Sequence, residues 1–78
     1  MENLTPLNGL SPRQKCTVRK IKGKGAVHQR LLDMGLVPGA PVSVERIAPL
    51  GDPIEVSIKG YHLSLRKQEA ACILVSIN

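Results

Sequence analysis

This sequence predicts an all-β fold, a small barrel of short strands, and three observations carry that prediction. Its large apolar residues are almost entirely Val, Ile and Leu, with Tyr61 the only aromatic residue, and β-branched side chains favour pleated, half-buried surfaces. Two stretches flanking Lys59-Gly60 alternate apolar with polar residues, the period of two that a strand requires. Turn signals recur at short intervals, while one stretch alone has clear helical spacing. With 78 residues, the chain is expected to form a single domain, 1–78, around one core. A chain of this size buries only about 60% of its unfolded surface, which leaves little room for a deep cleft lined by strained polar groups.

Each element follows from local pattern. Residues 1–12, with Pro6, Gly9 and Pro12 among them, form an irregular lead-in. Residues 15–21 read as the first strand and Gly23-Lys24-Gly25 as a flexible turn. The helix is expected over 26–34, where Val27, Leu31 and Met34 fall at i, i+4 and i+7 on one core-facing stripe. Gly35 then serves as the left-handed residue that closes it, letting Leu36 pack back on Leu31. Val37-Pro38-Gly39-Ala40 puts proline and glycine where a type II turn wants them.

The second strand spans 42–48, and its apolar phase slips between Val44 and Ile47, the mark of a bulge. A loop over 49–53 leads to a hairpin. A two-residue turn at Lys59-Gly60 pairs Ile58 with Tyr61, Val56 with Leu63 and Ile54 with Leu65, so that one face is wholly apolar and Tyr61 turns toward the core. Residues 67–71 suit one helical turn, and 72–77 a last strand with Ile73, Val75 and Ile77 on one face. The sum is a small five- to six-stranded SH3-like barrel with one short α-helix and a short helical turn before the last strand. Closure of that kind would remove exposed sheet edges.

No apolar run approaches the roughly 20 residues of a membrane-spanning helix. The N-terminal residues are neither basic nor followed by a continuous apolar stretch, so no secretory signal is expected. Cys16 and Cys72 lack metal-type spacing and read as reduced strand thiols in a cytoplasmic protein. The formal net charge of +5 is uneven: Arg13, Lys15, Arg19, Lys20, Lys22, Lys24 and Arg30 fall in a stretch without a single acidic residue. Such a half suits an acidic partner, an anionic membrane surface or nucleic acid, or simply a solvated face.

Three segments resemble one known family. The run from Arg30 through Leu31, Asp33, Met34 and Gly35 to Pro38-Gly39 is similar to the Arg-Leu-x-x-(Leu/Met)-Gly-x-x-Pro-Gly signature of FeoA proteins, small accessory proteins of bacterial ferrous iron transport. Ala48-Pro49-Leu50-Gly51-Asp52-Pro53 resembles the family's central loop, and Leu63-Ser64-Leu65-Arg66, Glu69-Ala70, Ile73 and Val75 its closing segment. Pro12-Arg13 departs from a frequent Pro-Gly. The resemblance implies an SH3-like fold, a cytoplasmic location and no catalytic residues. It also implies a partner, the membrane-embedded ferrous iron transporter FeoB with its cytosolic GTPase region, and hence a place at the periphery of the inner membrane. Many of the matching positions are turn and core residues, which fix a fold more firmly than a function.

The residues themselves offer little catalytic chemistry. Acidic residues are scattered, and neither His28 nor His62 adjoins a nucleophile that sequence can show. Gly23-Lys24-Gly25 lacks the full phosphate-loop pattern. Cys16, His28, His62 and Cys72 sit on separate elements, so neither a metal site nor a cofactor is expected. A small basic barrel that binds RNA or DNA is the alternative reading, disfavoured because single-strand readers stack bases on aromatic side chains. A protein-docking surface is favoured instead. Its candidates are Leu50 at the tip of a loop between two prolines, Leu32 about 140° around the helix from Val27, and the basic residues Arg30, Arg13 and Lys22.

Overall fold

A computed structural model describes residues 3–23 and 25–78 of the chain. Six antiparallel strands form one sheet: β1 (Thr5–Pro6), β2 (Lys15–Ile21), β3 (Pro41–Ile47), β4 (Ile54–Ile58), β5 (Tyr61–Leu65) and β6 (Ile73–Ile77). Helix α1 (Ala26–Asp33) lies between β2 and β3, and helix α2 (Lys67–Ala71) between β5 and β6. A 3-10 turn, Leu7–Gly9, follows β1.

The barrel expected from sequence is not formed. The strand order is β1-β6-β2-β3-β4-β5, with β1 and β5 at the two ends and no ladder between them, so the sheet is open. Closure needs end strands long enough to pair at the required tilt and stagger. Strand β1 has two residues, and one of them, Pro6, has no N–H to give. The Tyr61 hydroxyl donates to the Met34 carbonyl at 2.5 Å, tying the end of α1 to β5, and α2 packs on β6 and the 3-10 turn.

The local predictions about turns and register are met by the backbone. The Leu36 N–H reaches the Leu31 carbonyl at 3.1 Å and the Gly35 N–H the Leu32 carbonyl at 3.0 Å, the paired bonds of a Schellman ending. Gly35 has a φ of 95°. Ala40 donates to the Val37 carbonyl at 3.0 Å, closing the type II turn. Hairpin β4–β5 pairs Ile54 with Leu65, Val56 with Leu63 and Ile58 with Tyr61. The expected bulge in β3 appears as a register shift between Val44 and Arg46.

Leu7, Leu10, Val18, Leu31, Leu36, Val44, Ile54, Val56, Ile58, Leu65, Ile73 and Val75 lie among the buried residues of one core. Two of them come from the lead-in, which is more ordered than its composition suggests: β1 pairs Thr5 with Val75 and Pro6 with Leu74. Val27, expected in the core, is exposed, because only the second turn of α1 reaches the sheet through Leu31. Tyr61 is 43% exposed rather than turned inward, its ring spanning the gap to α1. Ile77 is likewise exposed at the end of β6. The turn expected at Gly23-Lys24-Gly25 includes Lys24, which lies outside the described residues.

Candidate docking surface

The short helix α2 gathers three of the five candidate residues around it. At its start, the Lys67 N–H donates to the Asp52 carboxylate at 3.1 Å, so the loop over 48–53 is bound to the first turn of the helix. The same loop is braced internally: Ala48 donates to the Pro53 carbonyl at 3.1 Å and Gly51 to the Ala48 carbonyl at 2.7 Å. Leu50 stands at its tip with 89% of its surface in solvent. A braced loop that holds a leucine out in water loses little conformational freedom when that leucine is buried by a partner.

In the middle of α2, Glu69 is 6% exposed, the one buried charged residue among the described residues. Its carboxylate accepts the Arg66 N–H at 2.9 Å, reaching back over the helix start, and pairs with the Arg30 guanidinium at 3.0 Å. The first contact is the return half of a capping box; the second fastens α1 to α2. A buried carboxylate needs both kinds of partner to offset its lost hydration. Arg30 is still 60% exposed at its side chain, so one edge of its guanidinium faces solvent.

At the far end of α2, the Lys22 N–H donates to the Cys72 carbonyl at 2.7 Å, placing the exposed Lys22 beside the helix terminus. Leu50, Arg30 and Lys22 therefore border one helix. Leu32 is half-buried and packs against the core from α1. Arg13 belongs elsewhere: it precedes β2 while Lys22 follows it, so seven residues of strand, on the order of 20 Å, separate them. The Arg13 N–H donates to the Val44 carbonyl at 2.6 Å; Lys15, Cys16, Pro41, Val42 and Lys59 line a separate open groove of about 220 Å³ that does not include Arg13.

Sequence reasoning missed Glu69 and Asp52 as organisers of this surface. Glu69 carries a readable signal, an acidic residue three positions after the helix start. The Asp52–Lys67 contact spans 15 residues and has no local signature.

Among the described residues, no group of three or more His, Cys, Asp or Glu side chains could hold a metal ion. His28 Nδ1 lies 3.1 Å from the Gly23 carbonyl. Burial pushes the Cys16 thiol up from 9.0 to about 11, which keeps it protonated and unreactive near neutral pH. No helix of the described residues is long and apolar enough to cross a membrane.

Comparison with known proteins gives this surface its context. The chain is 35% identical over 71 residues to the Fe(2+) transport protein A/Fe(2+) transporter FeoB fusion protein of Porphyromonas gingivalis, an alignment that covers 91% of the chain and only 8% of that much longer protein. The solution structure of a FeoA-like protein from Clostridium acetobutylicum is 40% identical and superposes with a TM-score of 0.90, covering 99% of this chain and 90% of that one. The FeoA protein of Chlorobium tepidum is 44% identical, with a TM-score of 0.86 and coverage of 94% and 70%. The family model for the FeoA domain matches residues 5–77, nearly the whole chain, and the protein belongs to the FeoA domain family.

Proposed function

We propose that this chain is a cytoplasmic, non-catalytic accessory module of ferrous iron transport, and that it docks on the cytosolic GTPase region of a FeoB-type transporter. The observation that carries the reading is Leu50, 89% exposed on a loop braced against α2. A fully solvated leucine on an ordered loop gains about 1.5–3 kcal/mol when a partner covers it. Support for the partner's identity comes from the Porphyromonas gingivalis relative, in which the two transport components are one polypeptide.

In this reading Leu50 is the anchor, and Arg30 and Lys22, which border α2 with it, supply charge around the anchor. Leu32 contributes through the part of its side chain that solvent still reaches. Arg13 is set apart from Lys22 by the length of β2 and acts through the long-range field of the basic half, which speeds encounter and fixes orientation. The same positive field favours residence beside an anionic inner-membrane surface.

The test is ferrous iron uptake in cells that lack the protein and are complemented at matched expression with the native chain or Leu50→Asp. The reading expects uptake restored by the native chain and not by the variant. Normal uptake without any copy of the protein would end it.

A further inference from the structure

The open sheet has two edges of very different character. The β1 edge is two residues long and includes Pro6, which has no N–H to offer. The β5 edge is five residues long, contains no proline, and among the described residues pairs with β4 alone. In a two-residue hairpin the closing pair, here Ile58 with Tyr61, exchanges both ladder hydrogen bonds, and every second pair does the same. His62 and Ser64 therefore turn their N–H and C=O groups away from β4, toward solvent.

The side chains along this edge give it a chemistry. On the core face, Tyr61 is exposed and Leu63 is half-buried, so the apolar layer is unfinished where the sheet stops. Exposed Lys59 and Arg66 bracket the strand, His62 lies between them, and no acidic residue occurs from Lys59 through Gln68. We propose that β5 is a docking edge for an extended peptide segment of a partner protein, about five residues long, that alternates apolar with acidic residues. Its backbone pairs with His62 and Ser64. Its apolar side chains continue the layer of Tyr61 and Leu63, and its carboxylates meet Lys59, His62 and Arg66. A second copy of this chain is the wrong occupant: antiparallel pairing about Leu63 would bring the basic residues that bracket β5 in one copy, Lys59, Arg66 and Lys67, toward those of the other, with no acidic residue on the strand to offset them. The centre of this edge, His62 and Ser64, is distinct from the Leu50 loop, which meets the chain beyond Arg66 through Asp52 and Lys67, and the proposal does not depend on the function proposed above.

The probe is a synthetic seven-residue peptide alternating glutamate with leucine and valine, titrated into isotope-labelled protein by NMR. Saturable shifts centred on the amides of His62 and Ser64 are expected, weakened several-fold between 50 and 500 mM salt, as for any charge-assisted contact. The variant Ser64→Pro removes one outward N–H without touching the β4–β5 ladder and should weaken binding at least tenfold. Should that variant unfold, N-methylation of alternate peptide amides tests the same bond on the native protein and should also weaken binding at least tenfold. A peptide with lysine in place of glutamate should bind at least tenfold more weakly, and Leu50→Asp should bind the acidic peptide as the native chain does. Absence of saturable binding, equal binding by the methylated peptide, or shifts confined to the Leu50 loop would overturn the proposal. So would concentration-dependent dimerisation through β5.

Discussion

Replacing Gly35 with alanine asks how firmly the end of α1 is held against the sheet. Gly35 has a φ of 95°, and an L-residue held in a left-handed conformation costs about 1–2 kcal/mol. A methyl group there would also lie 2.6 Å from the Tyr61 hydroxyl oxygen. Because that oxygen is at the tip of a partly exposed side chain, the ring can swing away, but only by giving up its hydrogen bond to the Met34 carbonyl. Such a bond contributes about 0.5–1.5 kcal/mol. Gly35→Ala should therefore destabilise the fold by about 2–3 kcal/mol, a fall in Tm of roughly 10–20 °C for a domain of this size. Tyr61→Phe alone should cost only the hydrogen bond. In the Tyr61→Phe background neither clash nor bond remains, so adding Gly35→Ala should cost only the backbone strain. Thermal or urea unfolding of the four proteins in a double-mutant cycle gives a coupling of about 0.5–1.5 kcal/mol. Equal costs of Gly35→Ala in the two backgrounds would refute the argument.

The other predictions rest on separate parts of the molecule. Arg30→Ala leaves the buried Glu69 carboxylate with the Arg66 amide alone; since Arg30 is largely solvated, urea unfolding should register a loss of only about 1 kcal/mol. Leu50→Asp should leave Tm unchanged, because that side chain is 89% exposed, whereas Leu32→Asp, placed against the core, should lower it clearly. The Cys16 thiol is raised by burial from 9.0 to about 11, so the folded state holds that proton more tightly than the unfolded state. Its contribution is whole below the ordinary value and is lost as pH rises through the raised one, each unit withdrawing up to about 1.4 kcal/mol. Unfolding measured across that alkaline window should show the decline in the native chain and a flatter profile in Cys16→Ala.

What the sequence made legible was local. The hairpin register followed from strict alternation across two residues, and the Schellman ending from a single glycine after a helical stripe. The bulge in β3 showed itself as a phase slip. What could not be read was non-local. Strand β1 exists only because Thr5 and Pro6 meet Val75 and Leu74 across nearly the whole chain, and two residues carry no periodicity. The closed barrel was inferred from strand count, but closure depends on the lengths of the end strands, and these left the sheet open. Val27 had the right spacing for the core, yet spacing does not say how far a helix overhangs its sheet. Of the candidate site, Leu50 was placed by two flanking prolines. That α2 would draw Leu50, Arg30 and Lys22 together through Asp52, Glu69 and Cys72 depends on tertiary contacts no local pattern encodes.

The proposal that this chain acts by docking through Leu50 is most directly tested by calorimetric titration of the purified protein into the isolated cytosolic region of a FeoB-type transporter. The native chain should bind saturably. Leu50→Asp, with its fold verified by an unchanged Tm, should bind at least tenfold more weakly, because it removes a buried leucine and adds a charge that must be desolvated. Absence of binding by the native chain, or equal binding by the variant, would contradict the account.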